Sequence, residues 1–187
     1  MKRGSETLRS LGALAAAGAL SLLAAPAWSE GVARDGAGVP LFSISKTENK
    51  NYVQYAMRLD ASCAPAGSAP AFAYWRMLER GPSVVEPLLS HEQPAYGIAS
   101  QAVLERGDGR GLVRVTLRAL PNAPLLVASR RSASGSCEAT ARTPIGGVDA
   151  RLFNVHAVLR WPFGVARLLV SGWSLADGRA VRDSRAP

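Results

Sequence analysis

The cleanest hydrophobic pattern in the chain is "LVRVTLR", where Val113, Val115 and Leu117 alternate with Arg114, Thr116 and Arg118. A period of two marks a strand with one buried face. "NKNYVQYAMRLD" behaves the same way, with Val53, Tyr55, Met57 and Leu59 on one parity and Tyr52, Gln54 and Arg58 on the other. "LFSIS", "FAYWRMLE", "GIASQAVLER", "PLLVASRR", "CEATAR", "ARLFNVHAVLRW", "VARLLVSGWS" and "RAVRDS" complete the series, separated by turn-forming residues. Short extended segments at this spacing predict an all-β fold, an antiparallel barrel or two-sheet sandwich of about nine or ten short strands. "EPLLSHEQPAYG" is the exception. Glu86 and Pro87 suit a helix start and Pro94 a stop, so one short helix is expected there.

The N-terminus follows a different rule. Lys2, Arg3 and Arg9 precede the apolar run Leu11 to Ala25, which ends at Pro26 and small residues. That is the layout of a Sec-type signal peptide, with cleavage near Ala27 or Ser29. The run is shorter than the roughly 20 apolar residues of a membrane span, so no span is expected after processing. The expected organisation is a signal peptide over 1–29, a flexible lead over 30–40 and a single β domain over 41–187, with a periplasmic or secreted location.

Composition narrows the choice further. With 48% hydrophobic and 19% charged residues the chain can bury a core rather than stay disordered. Removing residues 1–29 lowers the formal charge from +8 to +6, and the arginines are scattered without a long run. Nucleic-acid binders concentrate such charge and interleave it with aromatics, so no nucleic-acid partner is expected. Two cysteines, Cys63 and Cys137, in an exported chain allow one intramolecular pairing, and a disulfide is expected. A metal site has little to draw on, because the histidines are only His91 and His156 and no Cys-x-x-Cys occurs. Neither a metal nor another cofactor is expected.

Catalytic motifs are sparse. "GDGRG" (Gly107 to Gly111) leads into a strand instead of a helix, so it reads as a hairpin turn and not as a phosphate loop. His91 and Glu92 are neighbours that would not share a helix face. No Gly-x-Ser-x-Gly or His-Glu-x-x-His is present. The aromatics offer more: Tyr55, Trp75 and Tyr96 are rings that either fill the core or line a small-ligand site. Asn49 and Asn51 precede a strand, where asparagine can shape a turn or contact a ligand. Asn49, Asn51, Tyr55, Trp75 and Tyr96 are therefore the candidate ligand-binding residues.

Asn-x-Asn-x-Val-x-Tyr (Asn49, Asn51, Val53, Tyr55), Tyr-Trp (Tyr74, Trp75) and Ala-Tyr-Gly (Ala95, Tyr96, Gly97) carry a family resemblance. With the closing "SGWSLADGRAVRDSRAP", the chain from about Leu41 onward resembles the bacterial secreted family DUF4833. The resemblance implies a single secreted domain and no assigned activity. Where that family often has basic residues, this chain has Glu48, Glu92 and Gln93, and Pro94 replaces a leucine, which implies a shorter helix and the loss of any anion site there. The functional expectation is a non-catalytic periplasmic or secreted β-barrel binding module, monomeric, for an unknown small ligand or envelope protein. The alternatives are an envelope structural or protein-interaction domain and, further off, a hydrolase.

Overall fold

The computed structural model describes residues 38–160 and 164–186. The proposed signal peptide lies outside them. Eleven strands form one sheet: β1 (Val39–Lys46), β2 (Tyr52–Met57), β3 (Ala71–Arg76), β4 (Val85–Pro87), β5 (Ile98–Gly107), β6 (Arg110–Leu117), β7 (Leu120–Arg131), β8 (Cys137–Ile145), β9 (Val148–Arg160), β10 (Gly164–Ser174) and β11 (Ala180–Arg185). A four-residue helix, α1 (Gln93–Tyr96), links β4 to β5. The order is β4-β3-β2-β1-β9-β8-β7-β6-β5, with β10 on β9 and β11 on β10. All neighbours are antiparallel except β1 and β9, which run parallel. The sheet does not close into a barrel, and strands of up to 13 residues exceed the short elements the pattern suggested.

One edge of β9 is shared. Its first part pairs with β8 (Arg142↔Arg151, Ile145↔Val148) and its later part with β1 (Ser43↔Asn154, Lys46↔Ala157). Between them the β10 register slips from Ser171↔Asn154 to Gly172↔Leu152, so Phe153 is an extra residue in β9. A β-bulge bends its strand and reverses side-chain parity, so Leu152 and Val155 both point inward on either side of it. The sheet thus has two arms, and their inner faces share one core. Ile44, Val53 and Tyr55 of one arm join Val113, Leu125 and Ala141 of the other in a single buried cluster.

Alternation predicts this core well: Val113, Val115 and Leu117 are buried while Arg114 and Arg118 are exposed. The helix expectation needs correction. Glu86 and Pro87 belong to β4, which pairs with β3 and adds a strand that the pattern did not predict. Pro94 lies in the first turn of α1 instead of ending a helix. The N–H groups of a first turn have no intrahelical acceptor, so a proline there gives up nothing.

Cys63 and Cys137 form the expected disulfide, Cα atoms 5.2 Å apart, which ties the β2–β3 connection to the start of β8. Cys63 takes a left-handed backbone conformation, φ 66°. Asp60 holds that turn by accepting the Ser62 N–H, the Ser62 hydroxyl and the Ala64 N–H. Ser129 donates to the Cys63 carbonyl at 2.9 Å, and Gly109 N–H to that of Ser62 at 2.9 Å. The connection is thereby laid across the ends of β5 to β7. Gly111 is required beneath it, because a Cβ there would collide with the ring of Pro65.

Candidate functional site

The register places Ile44, Val53, Trp75 and Glu86 side by side across β1, β2, β3 and β4. Beside them, Phe42, Tyr55 and Ala73 form the next row, with the Phe42 and Tyr55 rings stacked at 4.5 Å. Where this inner face reaches the strand ends it leaves a recess of about 180 Å³. Trp75 and Met77 line it from the β3 side, Glu86 and Pro87 from β4. Lys46 and the turn residues Asn49 and Asn51 close one wall, Leu89 and Glu92 another.

Each of the five candidate residues has a definite place. The Asn49 side chain accepts the Asn51 N–H at 3.1 Å, an Asx turn that aims the chain into β2. Buried Asn51 accepts the Glu79 N–H at 3.1 Å and donates to a Glu79 carboxylate oxygen at 3.3 Å. Asn49 thus shapes the turn, and Asn51 fastens it to the β3–β4 loop. Tyr55 lies beneath, fully inside the core, and donates its hydroxyl to the Tyr96 carbonyl at 2.5 Å. Burial, with the Tyr96 phenol nearby, pushes the Tyr55 phenol far above the ordinary tyrosine range, so it stays protonated as a donor. Trp75 meets Tyr96 edge to face at 5.2 Å. The three aromatics expected to cluster are brought together, two as scaffold and Trp75 at the recess.

Trp75 is only 9% exposed, and its indole N–H is buried with no acceptor among the described residues. Lys46 stands 6.0 Å from that ring and 3.3 Å from Glu48. Glu86 pairs with Arg80, and Glu92 accepts the Leu89 N–H at 2.8 Å. Burial raises the Tyr96 phenol, partly opposed by Lys46. The recess lining thus combines the Trp75 side chain with an ammonium and two carboxylates, which is recognition chemistry.

Sequence reasoning missed Lys46, Met77, Glu86 and Leu89. Lys46 continues the inward parity of Ile44, a usable signal, but Glu86 reaches Trp75 only through β3–β4 pairing, which no periodicity reveals. Replacing Tyr55 by Phe removes the hydroxyl alone and strands the Tyr96 carbonyl. We expect a loss of about 1 kcal/mol in urea denaturation, and an unchanged midpoint would show that this bond does not hold α1 down.

A second polar group occupies the outer face of the β1–β9 pair. Ser45 and His156 are direct cross-strand partners, with the hydroxyl 2.9 Å from Nδ1. Asn154 accepts from Ser43 at 3.0 Å. His156 is thus half-buried and engaged. Among the described residues no carboxylate hydrogen-bonds His156, and the pair joins the end of β1 to the middle of β9. This is a hydrogen-bonded seam between the two strands. No group of His, Cys, Asp and Glu suited to a metal occurs among the described residues.

The fold is that of an all-β domain whose open, mostly antiparallel sheet folds around one core, with a small recess at one end. The chain belongs to the DUF4833 family: the model of that domain of unknown function matches residues 42–184. No curated protein and no solved structure matches the chain.

Proposed function

We propose that this protein is an exported, non-catalytic binding module whose recess takes a small polar ligand or the side chain of a partner segment. The Trp75 indole N–H carries this reading. A buried donor without an acceptor costs about 1–3 kcal/mol, and that cost favours a turn of the indole that brings its N–H to an acceptor on a ligand in the recess. Lys46, Glu86 and Glu92 favour a ligand bearing both charges or several hydroxyls. A volume of about 180 Å³ falls below the ~300–1,000 Å³ of drug-sized sites, and it suits an amino acid or a single sugar ring. Export to the periplasm or beyond is supported by the basic, apolar and small-residue layout of the first 29 residues and by the disulfide.

The test follows the indole itself. With tryptophan labelled by nitrogen-15, the Trp75 side-chain resonance is assigned by its loss in Trp75→Phe, then titrated with free amino acids and monosaccharides. One of these classes shifts it, and Trp75→Phe, which deletes the donor, weakens that binding about tenfold. If neither class moves the resonance, the recess is not a site for such ligands.

A further inference from the structure

The outer face of the other arm carries a feature that the recess does not explain. In register, Arg114 of β6 lies opposite Leu126 of β7, Leu126 opposite Arg142 of β8, Arg142 opposite Arg151 of β9, and Arg151 opposite Trp173 of β10. All five side chains are exposed. They form one straight row across five strands, about 19 Å long at the usual strand spacing.

Like charges directly opposite on a sheet destabilise it, and Arg142 and Arg151 are such a pair. Five arginines elsewhere are neutralised, Arg110 by Glu105, Arg130 by Glu138, Arg179 by Asp177, Arg185 by Asp183 and Arg80 by Glu86, while others such as Arg118 and Arg160 are not among the described residues, so what sets this row apart is its alignment with apolar side chains. Arg114, Arg142 and Arg151 make no ion pair among the described residues. The nearest carboxylate by register is Asp149, opposite Pro144 in the adjoining row, and it pairs with none of them.

Apolar side chains surround this row. Leu126 is 41% exposed, Trp173 40%, Leu175 46% and Phe153 54%, and the Phe153 and Trp173 rings meet edge to face at 4.8 Å. Phe153 follows inward-facing Leu152 and so stands outward with Arg151, beside Trp173. Unneutralised guanidinium groups alone would suit any polyanion. Exposed leucines and aromatic rings interleaved with them gain from a partner that offers hydrocarbon as well as negative charge.

We propose that the outer face of β6 to β10 docks this protein on a membrane surface rich in anionic phospholipid, the arginine row binding headgroup phosphates while Phe153 and Trp173 enter the interface. This surface is separate from the recess and does not depend on it. The chain rests on the bilayer through this face without crossing it; no helix among the described residues is long and apolar enough to span a membrane.

The full chain is partitioned onto phosphatidylcholine vesicles with and without phosphatidylglycerol at low salt, and the ratio of the two partition coefficients is read. The basic, apolar N-terminal run raises the ratio equally in every variant, so each variant's ratio is read against that of the unaltered chain. Arg142→Gln with Arg151→Gln lowers the ratio about thirtyfold, since each basic residue near such a surface contributes about fivefold. Arg142→Lys with Arg151→Lys keeps it, and Phe153→Ser with Trp173→Ser weakens phosphatidylglycerol binding about tenfold. All four positions are exposed, and unchanged melting temperatures confirm that the variants fold. A ratio unchanged in the glutamine pair overturns the proposal. So does dextran sulfate bound as tightly as the vesicles together with no vesicle loss in the serine pair, which would assign the face to a soluble polyanion.

Discussion

Removing the Cys63–Cys137 bridge, by reduction or by Cys63→Ser with Cys137→Ser, lowers the unfolding free energy by about 4 kcal/mol. The bridge joins residues 74 positions apart, so the loop it closes in the unfolded chain is long and the entropy it withholds is large. The folded state loses little else. Ser129 still donates to the Cys63 carbonyl, Gly109 to that of Ser62, and Pro65 stays packed on Gly111. The expected result is a lower urea midpoint with the circular dichroism of the folded protein intact. Equal midpoints for the oxidised and reduced proteins would mean that the β2–β3 connection is held by its hydrogen bonds alone.

The second large effect falls on Gly172. It stands across from the β9 bulge, and a Cβ there would lie well inside contact distance of the Arg151 carbonyl oxygen and 2.7 Å from Ile145 Cδ1. The side chain could yield, but the carbonyl belongs to the β9 ladder and cannot. Gly172→Ala should cost about 3 kcal/mol by overpacking and backbone displacement. A melting temperature lower by roughly 10 °C would register it. An alanine tolerated without loss would show that β9 and β10 approach less closely beside the bulge.

Much of the fold was legible because a half-buried strand writes its two faces into the sequence. Val113, Val115 and Leu117 are buried just as their alternation requires, and Tyr52 and Gln54 lie opposite the buried Val53 and Tyr55. The hairpin at "GDGRG" joins β5 to β6, as its turn residues indicate. Partner choice was not legible. Alternation says which face a residue occupies but not which strand lies beside it, so the parallel β1–β9 pair and the β8-to-β1 handover went unread. β4 was hidden for a local reason: three residues ending in proline carry no period. Pro94 misled because proline ends a helix at most positions and is harmless at its start.

The candidate site divides along the same line. The aromatic cluster came from residue type, and the structure places Tyr55, Trp75 and Tyr96 together. The asparagines were legible as turn formers, and Asn49 is one. The charged rim was not, because Lys46, Glu86 and Glu92 come from three separate elements and meet only after the sheet has folded.

The parallel pairing of β1 with β9 also bears on how the molecule reaches its native state. Ser43 and Asn154, bonded across that seam, are 111 residues apart, so the strands made first must wait for a partner made near the end. The hairpins β5–β6 and β7–β8 can close early through nearby contacts, whereas the seam must gather distant parts of the chain. Such high contact order slows the final assembly. Until β9 arrives, the unsatisfied edge of β1 is open to intermolecular pairing, which makes refolding yield sensitive to protein concentration.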